Sequence, residues 1–154
     1  MSQTILKLKA TNSTELAVIS GLMQDALVHP REVTFTDNRF VLLTSRFMWE
    51  NDDTKPHNKG DADFASVDEN KGWSRVRSGL RFEGVLGVQS SHWPRNFDAA
   101  LNLLSIVPDK RPEHFLLIFS GKTTVRLQVK SLFCILEDIS EPWPSPNKPK
   151  HLAS

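Results

Sequence analysis

Only one cysteine, Cys134, occurs in the 154 residues. Without a second thiol there is no internal disulfide, and a metal framework built on cysteines is equally excluded. Nowhere does an apolar run reach the roughly 18 residues that a membrane-spanning helix needs. The opening residues, Met1-Ser2-Gln3-Thr4-Ile5-Leu6-Lys7-Leu8, have no basic segment leading into an apolar core, so no secretory signal is expected. An excess of one sign of charge is missing too. Nineteen Lys and Arg against 18 Asp and Glu leave +1, which gives no global attraction to nucleic acid or an anionic membrane. A reducing, cytoplasmic setting is the simplest expectation.

What is present suits a globular protein: 39% hydrophobic and 24% charged residues. The length suits one domain with a sizeable core. We expect residues 1–140 to form that domain. A flexible acidic loop at 50–72 interrupts it and a Pro/Trp-rich tail follows at 141–154. The loop carries about −4, so the rest of the chain is mildly basic at about +5. A structureless stretch of this length marks an insertion, a lid or a linker.

Hydrophobic periodicity predicts the elements. Ile5 to Ala10 alternates as a short strand. Asn12 caps a helix with Glu15 three positions on, and Leu16, Ile19, Leu22, Met23, Ala26 and Leu27 share one helical face over residues 13–28. His29-Pro30 is expected to stop it. Glu32–Thr36 and Phe40–Trp49 are β-rich and meet at Asp37-Asn38-Arg39, a hairpin signal. Trp73 to Gln89 is extended, with Gly79, Gly84 and Gly87 indicating a bulge or bend. Leu101–Val107 is expected to pair with Phe115–Phe119. Asp98 could cap a short turn in the loop before them. Past Lys130 the pattern fits either a strand or a helix, and we expect a strand to Val129 and a short helix after Ser131. The fold class that follows is α+β. Its sheet is mainly antiparallel, with about seven strands, bent or partly closed and resembling a pleckstrin-homology-like roll. An N-terminal helix and a possible short C-terminal helix accompany it.

Ser120-Gly121-Lys122-Thr123 joins two β-rich runs and ends like a phosphate-binding loop. Such a loop needs a glycine five positions before Gly121 and a helix after it. Leu116 stands at the first position and a strand-like alternation follows, so the segment is a hairpin turn. No catalytic spacing survives elsewhere. His29, His57, His92, His114 and His151 form no paired ligand motif. Cys134 sits in an apolar setting that keeps a thiol inert. Ser90-Ser91-His92 with Asp98 lacks a nucleophile elbow.

The candidate binding residues are Arg75, Arg77 and Arg81 on one strand face, with Trp73 at its start and Trp49 ending a neighbouring strand. Trp143 joins them in the tail, between Pro142 and Pro144. Arginine beside aromatic rings suits phosphate and stacked bases, and equally suits a solvated sheet face. An exposed Trp in a polyproline segment suits a groove on a partner, or it folds back on its own core.

The order of short blocks is familiar: Leu16-Ala17-Val18-Ile19-Ser20, Arg46-Phe47-Met48-Trp49-Glu50, Leu80-Arg81-Phe82, Leu103-Leu104-Ser105-Ile106, Arg126-Leu127-Gln128-Val129 and Leu136-Glu137-Asp138-Ile139, then Pro-Trp-Pro. Together they resemble the bacterial domain-of-unknown-function family 2948 over nearly the whole chain. The resemblance implies a small bacterial cytoplasmic protein, and it brings no cofactor, activity or catalytic residue with it. The expectation is therefore a non-enzymatic binding module for another protein, with no cofactor, no metal and no membrane. The alternatives are an enzyme or ligand-binding protein gathering His92 and His114 only in the fold, and nucleic-acid binding through the arginine face.

Overall fold

A computed structural model describes residues 6–51, 74–96 and 99–144. Ten antiparallel strands form one sheet: β1 (Lys7–Ala10), β2 (Ala26–Thr36), β3 (Arg39–Phe47), β4 (Ser74–Phe82), β5 (Val85–Ser91), β6 (Leu101–Pro108), β7 (His114–Phe119), β8 (Thr124–Val129), β9 (Cys134–Asp138) and β10 (Trp143–Pro144). The order across it is β1-β9-β4-β3-β2-β6-β7-β8-β5, and β10 pairs with β4. One α-helix, α1 (Ser13–Leu22), lies between β1 and β2.

This overturns the expectation of an α+β protein of about seven strands with helices at both ends. The molecule is mostly sheet. Among the described residues no helix follows Ser131, because residues 134–138 are strand β9, paired on one side with β1 and on the other with β4. A strand that is buried on both faces loses its two-residue period, which is why Leu132, Leu136 and Ile139 also fitted a helix. The N-terminal helix starts as expected. Asn12 Oδ1 accepts from the Glu15 amide at 2.8 Å, and a Glu15 carboxylate oxygen accepts from the Thr11 amide at 2.9 Å. It ends at Leu22 rather than at 28. Asp25 turns the chain with φ 65°, and Ala26–Val28 pair with β6. Pro30 sits inside β2, at the register shift between Val28 and Val33, where no ladder bond is needed from it.

The hairpins follow the sequence reading. Asp37 and Asn38, both with φ near +60°, turn β2 into β3. Gly121, at φ 75°, turns β7 into β8. β6 pairs with β7.

The connection between β4 and β5 shows how the sheet curls. These strands are third and ninth along the path, yet only Glu83 and Gly84 join them. Six flat strand spacings would separate them by about 29 Å. Two linking residues span at most about 11 Å. The sheet must therefore roll over on itself, and it does so around one core with residues from β1 to β9 and α1. β2 takes part in both halves: Ala26–Val28 pair with β6, and Val33–Thr36 pair only with β3. Leu16, Ile19 and Met23 seat α1 over the gap between β1 and β6. The Ser20 hydroxyl accepts from the Ile106 amide at 2.9 Å there.

The acidic-loop expectation at 50–72, Asp98 and the tail beyond Pro144 lie almost wholly outside the described residues. Among the described residues no helix is long and apolar enough to cross a membrane, which leaves open a crossing made by strands.

Candidate functional site

Along β4 the even-numbered residues Val76, Ser78, Leu80 and Phe82 point into the roll, and Arg75, Arg77, Gly79 and Arg81 point outward. The three arginines thus share the outer face, as expected. Each one already has an acceptor. Arg77 Nη2 lies 3.3 Å from Glu32, and Arg75 Nη1 donates to the Ser45 carbonyl at 3.0 Å. Arg81 Nε lies 2.7 Å from Glu83, a close ion pair rather than an aligned hydrogen bond. Partial burial lowers the Arg75 pKa, partly opposed by the charge of Asp25.

The tail adds to this face. Past β9, the Ile139 amide donates to the Arg77 carbonyl at 2.7 Å and the Arg77 amide donates to the Ser140 hydroxyl at 3.0 Å. Trp143 then stands directly opposite Arg75 in the β10–β4 register. Opposed residues in an antiparallel pair share a face. Trp143 is 38% exposed and lies outside the core cluster, and Ile139 beside it is also exposed. On the other side of Arg75 its register partner is Phe47, fully buried beneath Trp49, with ring centroids 4.7 Å apart and planes at 66°. The Trp49 Nε1 donates to the Gln24 carbonyl at 2.9 Å. Trp49 therefore anchors the turn after α1, while Trp143 is the aromatic ring offered to solvent.

Of the six residues expected in a binding site, the structure gathers Trp49, Arg75, Arg77 and Trp143 at one end of the outer face. Arg81 lies further along β4, and Trp73 lies outside the described residues. Sequence reading missed Ile139, Glu32 and Ser140. In the sequence Ile139 figures only in the Leu136-Glu137-Asp138-Ile139 block and as an apolar position of the helix expected after Ser131.

On the inner face the most unusual feature is Arg46, whose side chain is 0% exposed. Its fork donates to Asp138 from Nε and Nη2 at 3.0 Å each, and to Glu50 from Nη1 and Nη2 at 2.9 and 2.7 Å. Asp138 also accepts from the Ser78 hydroxyl at 2.6 Å. The small Ser78 side chain on the intervening strand leaves room for the fork to cross β4. Burial lowers the Arg46 pKa, but the hydrogen bonds and charges of Glu50 and Asp138 outweigh that and leave it raised. This network joins β3, β4 and β9, and its acceptors are all within the chain.

The candidate catalytic residues do not assemble. The His92 carbonyl accepts from Thr123, just past the end of β7, whereas His114 begins β7. Six residues of strand separate them, about 20 Å. His114 Nδ1 lies 2.9 Å from the Pro112 carbonyl, and His92 Nδ1 lies 2.9 Å from its exposed neighbour Ser91. Burial raises the Cys134 pKa, which disfavours the thiolate. Among the described residues no cluster of three or more His, Cys, Asp or Glu could hold a metal ion. A cleft of about 720 Å³ lies between the start of α1, the β6–β7 loop and Ser131–Phe133. The helix end facing it is already capped by Asn12 and Glu15.

No curated protein and no solved structure matches the chain. A family model described as "Protein of unknown function (DUF2948)" matches residues 6–151, and the chain belongs to that family.

Proposed function

We propose that this protein is a non-enzymatic interaction module that captures another protein in the cytoplasm through the outer face formed by Arg75, Arg77, Ile139 and Trp143. The observation that carries this reading is the position of Trp143. A short strand aligns it opposite Arg75 and leaves it in solvent beside an exposed Ile139, away from the core. Aromatic and arginine side chains with a rim of ion pairs are the composition that protein interfaces favour. The pairing of Arg77 with Glu32 and of Arg81 with Glu83 weighs against phosphate as the ligand, since both guanidinium groups already face carboxylates.

The test is capture from an extract of the source cells by the tagged full chain under mild crosslinking. Trp143→Ala and Arg77→Ala are each expected to lower recovery of a defined partner at least tenfold. Both residues are on the surface, so stability should change by less than about 0.5 kcal/mol. Undiminished recovery by both variants, at unchanged melting temperature, would falsify the assignment.

A further inference from the structure

Among the described residues the rolled sheet leaves two gaps, and α1 closes one of them. The other lies between the tip of β2 and β5. Val33–Thr36 of β2 pair with β3 alone, because the pairing of β2 with β6 ends at Val28. β5 is the last strand of the path and pairs with β8 alone. The two free edges meet at one end, where the Val85 amide donates to the Asn38 carbonyl at 2.8 Å and the Asn38 side-chain amide donates to the Val85 carbonyl at 3.0 Å. Beyond that clasp, among the described residues, no strand pairs with either edge.

Register shows that the gap is a break in the roll rather than part of its exterior. Phe35 stands opposite Phe40, and Val88 opposite Leu127. Both partners are buried in the core, so Phe35 and Val88 also face inward. Yet Phe35 is 44% exposed. Ser90 stands opposite buried Val125 and is exposed as well. Between these side chains is a cleft of about 310 Å³, floored by Phe40 and Val125. None of its nine lining residues is ionisable.

We propose that this cleft is a second binding site, distinct from the Trp143 face, and that its occupant is an extended, uncharged peptide segment of a partner protein. The segment pairs as an added strand with β5 and sets alternate apolar side chains over Val33, Phe35 and Val88. Three features select this occupant. Free strand edges offer a row of main-chain donors and acceptors that an extended chain satisfies. An uncharged lining excludes an ionic ligand, since a charge placed there would be desolvated without a partner. β5, Val85-Leu86-Gly87-Val88-Gln89-Ser90-Ser91, carries no charge or proline to guard its edge, whereas the opposite edge strand β1 carries Lys7 and Lys9.

The probe is a panel of blocked hexapeptides with Val, Ile, Leu or Phe at alternate positions and Thr between them. The readout is backbone amide exchange of the full chain. Exchange at Val33–Thr36 and Leu86–Ser91 is expected to slow at least tenfold with one or more peptides. Slowing should vanish when the same peptide is N-methylated at alternate residues, which removes strand pairing and keeps the apolar side chains. It should also vanish in Phe35→Asp and persist in Trp143→Ala, so this site and the Trp143 face can fail separately. No slowing with any peptide overturns the proposal, as does equal slowing by the N-methylated form. So does slowing of β5 exchange by protein concentration alone, which would make a second copy of the chain the occupant.

Discussion

Replacing Arg46 by methionine removes the one guanidinium that ties β3 to β9 across β4. Methionine keeps the unbranched apolar stem of the side chain and takes away the charged fork. Asp138, with its side chain 6% exposed, then keeps, among the described residues, the Ser78 hydroxyl as its one side-chain donor. Breaking a buried ion pair on one side costs about 3–5 kcal/mol, because the remaining charge stays desolvated. Glu50 adds less. It is 32% exposed, and solvent limits an ion pair of that kind to about 1 kcal/mol. With a urea m-value of about 2 kcal/mol per molar, a loss of 4 kcal/mol lowers the unfolding midpoint by about 2 M.

A second variant tests the cause of that loss. Arg46→Met combined with Asp138→Leu removes both charges and fills the space beside Val76 with apolar atoms. Apolar replacement of a whole buried pair is often close to neutral. Ser78 loses its acceptor, at a cost of about 1 kcal/mol. The double variant is therefore expected to regain most of the lost midpoint and finish within about 1 M of the parent. A single variant that shifts the midpoint by less than about 0.5 M refutes the reasoning, and so does a double variant no more stable than the single one. The Arg46 contribution should stay constant from neutral into moderately alkaline pH. Its folded pKa is raised, so on the alkaline side its stabilisation is complete below the unfolded pKa and is lost only as the pH rises through the arginine range in strong alkali.

Two further outcomes are expected. Burial raises the Cys134 pKa, so the folded thiol stays protonated where an unfolded one ionises. Its contribution is whole below about pH 9 and is lost above it by up to about 1.4 kcal/mol per pH unit. Urea titrations at pH 8 to 10 should show a steeper fall for the parent than for Cys134→Ala, and parallel slopes would remove the thiol from the account. Gly84, at φ 65°, makes the corner between β4 and β5. A Cβ there would lie 3.7 Å from Lys130 Cβ, so space is adequate and backbone strain sets the cost. Gly84→Ala should lose about 1–2 kcal/mol and melt several degrees lower. A melting curve that overlays the parent would contradict the left-handed corner.

How far the sequence could be read depended on separation along the chain. Asp37-Asn38 and Ser120-Gly121-Lys122-Thr123 are local turn chemistry, and both hairpins formed where expected. The alternation of Arg75, Arg77 and Arg81 is equally local, and it correctly placed them on one face. The end of α1 was misjudged. Ala26 and Leu27 continue a helical stripe, but Ala26–Val28 pair with Leu101–Leu103 some 75 residues away. β9 failed for a similar reason, as its strand character comes from β1 and β4 on either side.

Arg46 did carry a signal. In Phe40–Phe47 the inward positions are Phe40, Leu42, Thr44 and Arg46, so an arginine falls where a core residue belongs. A guanidinium at such a position requires a buried acceptor. Its main acceptor, Asp138, is 92 positions away, in a segment whose period was ambiguous. The candidate site has the same structure of clues. The arginines were legible on one strand, but their neighbours Ile139 and Trp143 come from the far end of the chain. What places them there is the edge of β4 left unpaired beyond Ser78, where β9 ends and β10 begins. The β2–β5 cleft also depends on pairing that stops early, at Val28. In both places the exposed apolar groups lie where a ladder gives out. Strand ends in a rolled sheet are where its partners should be sought.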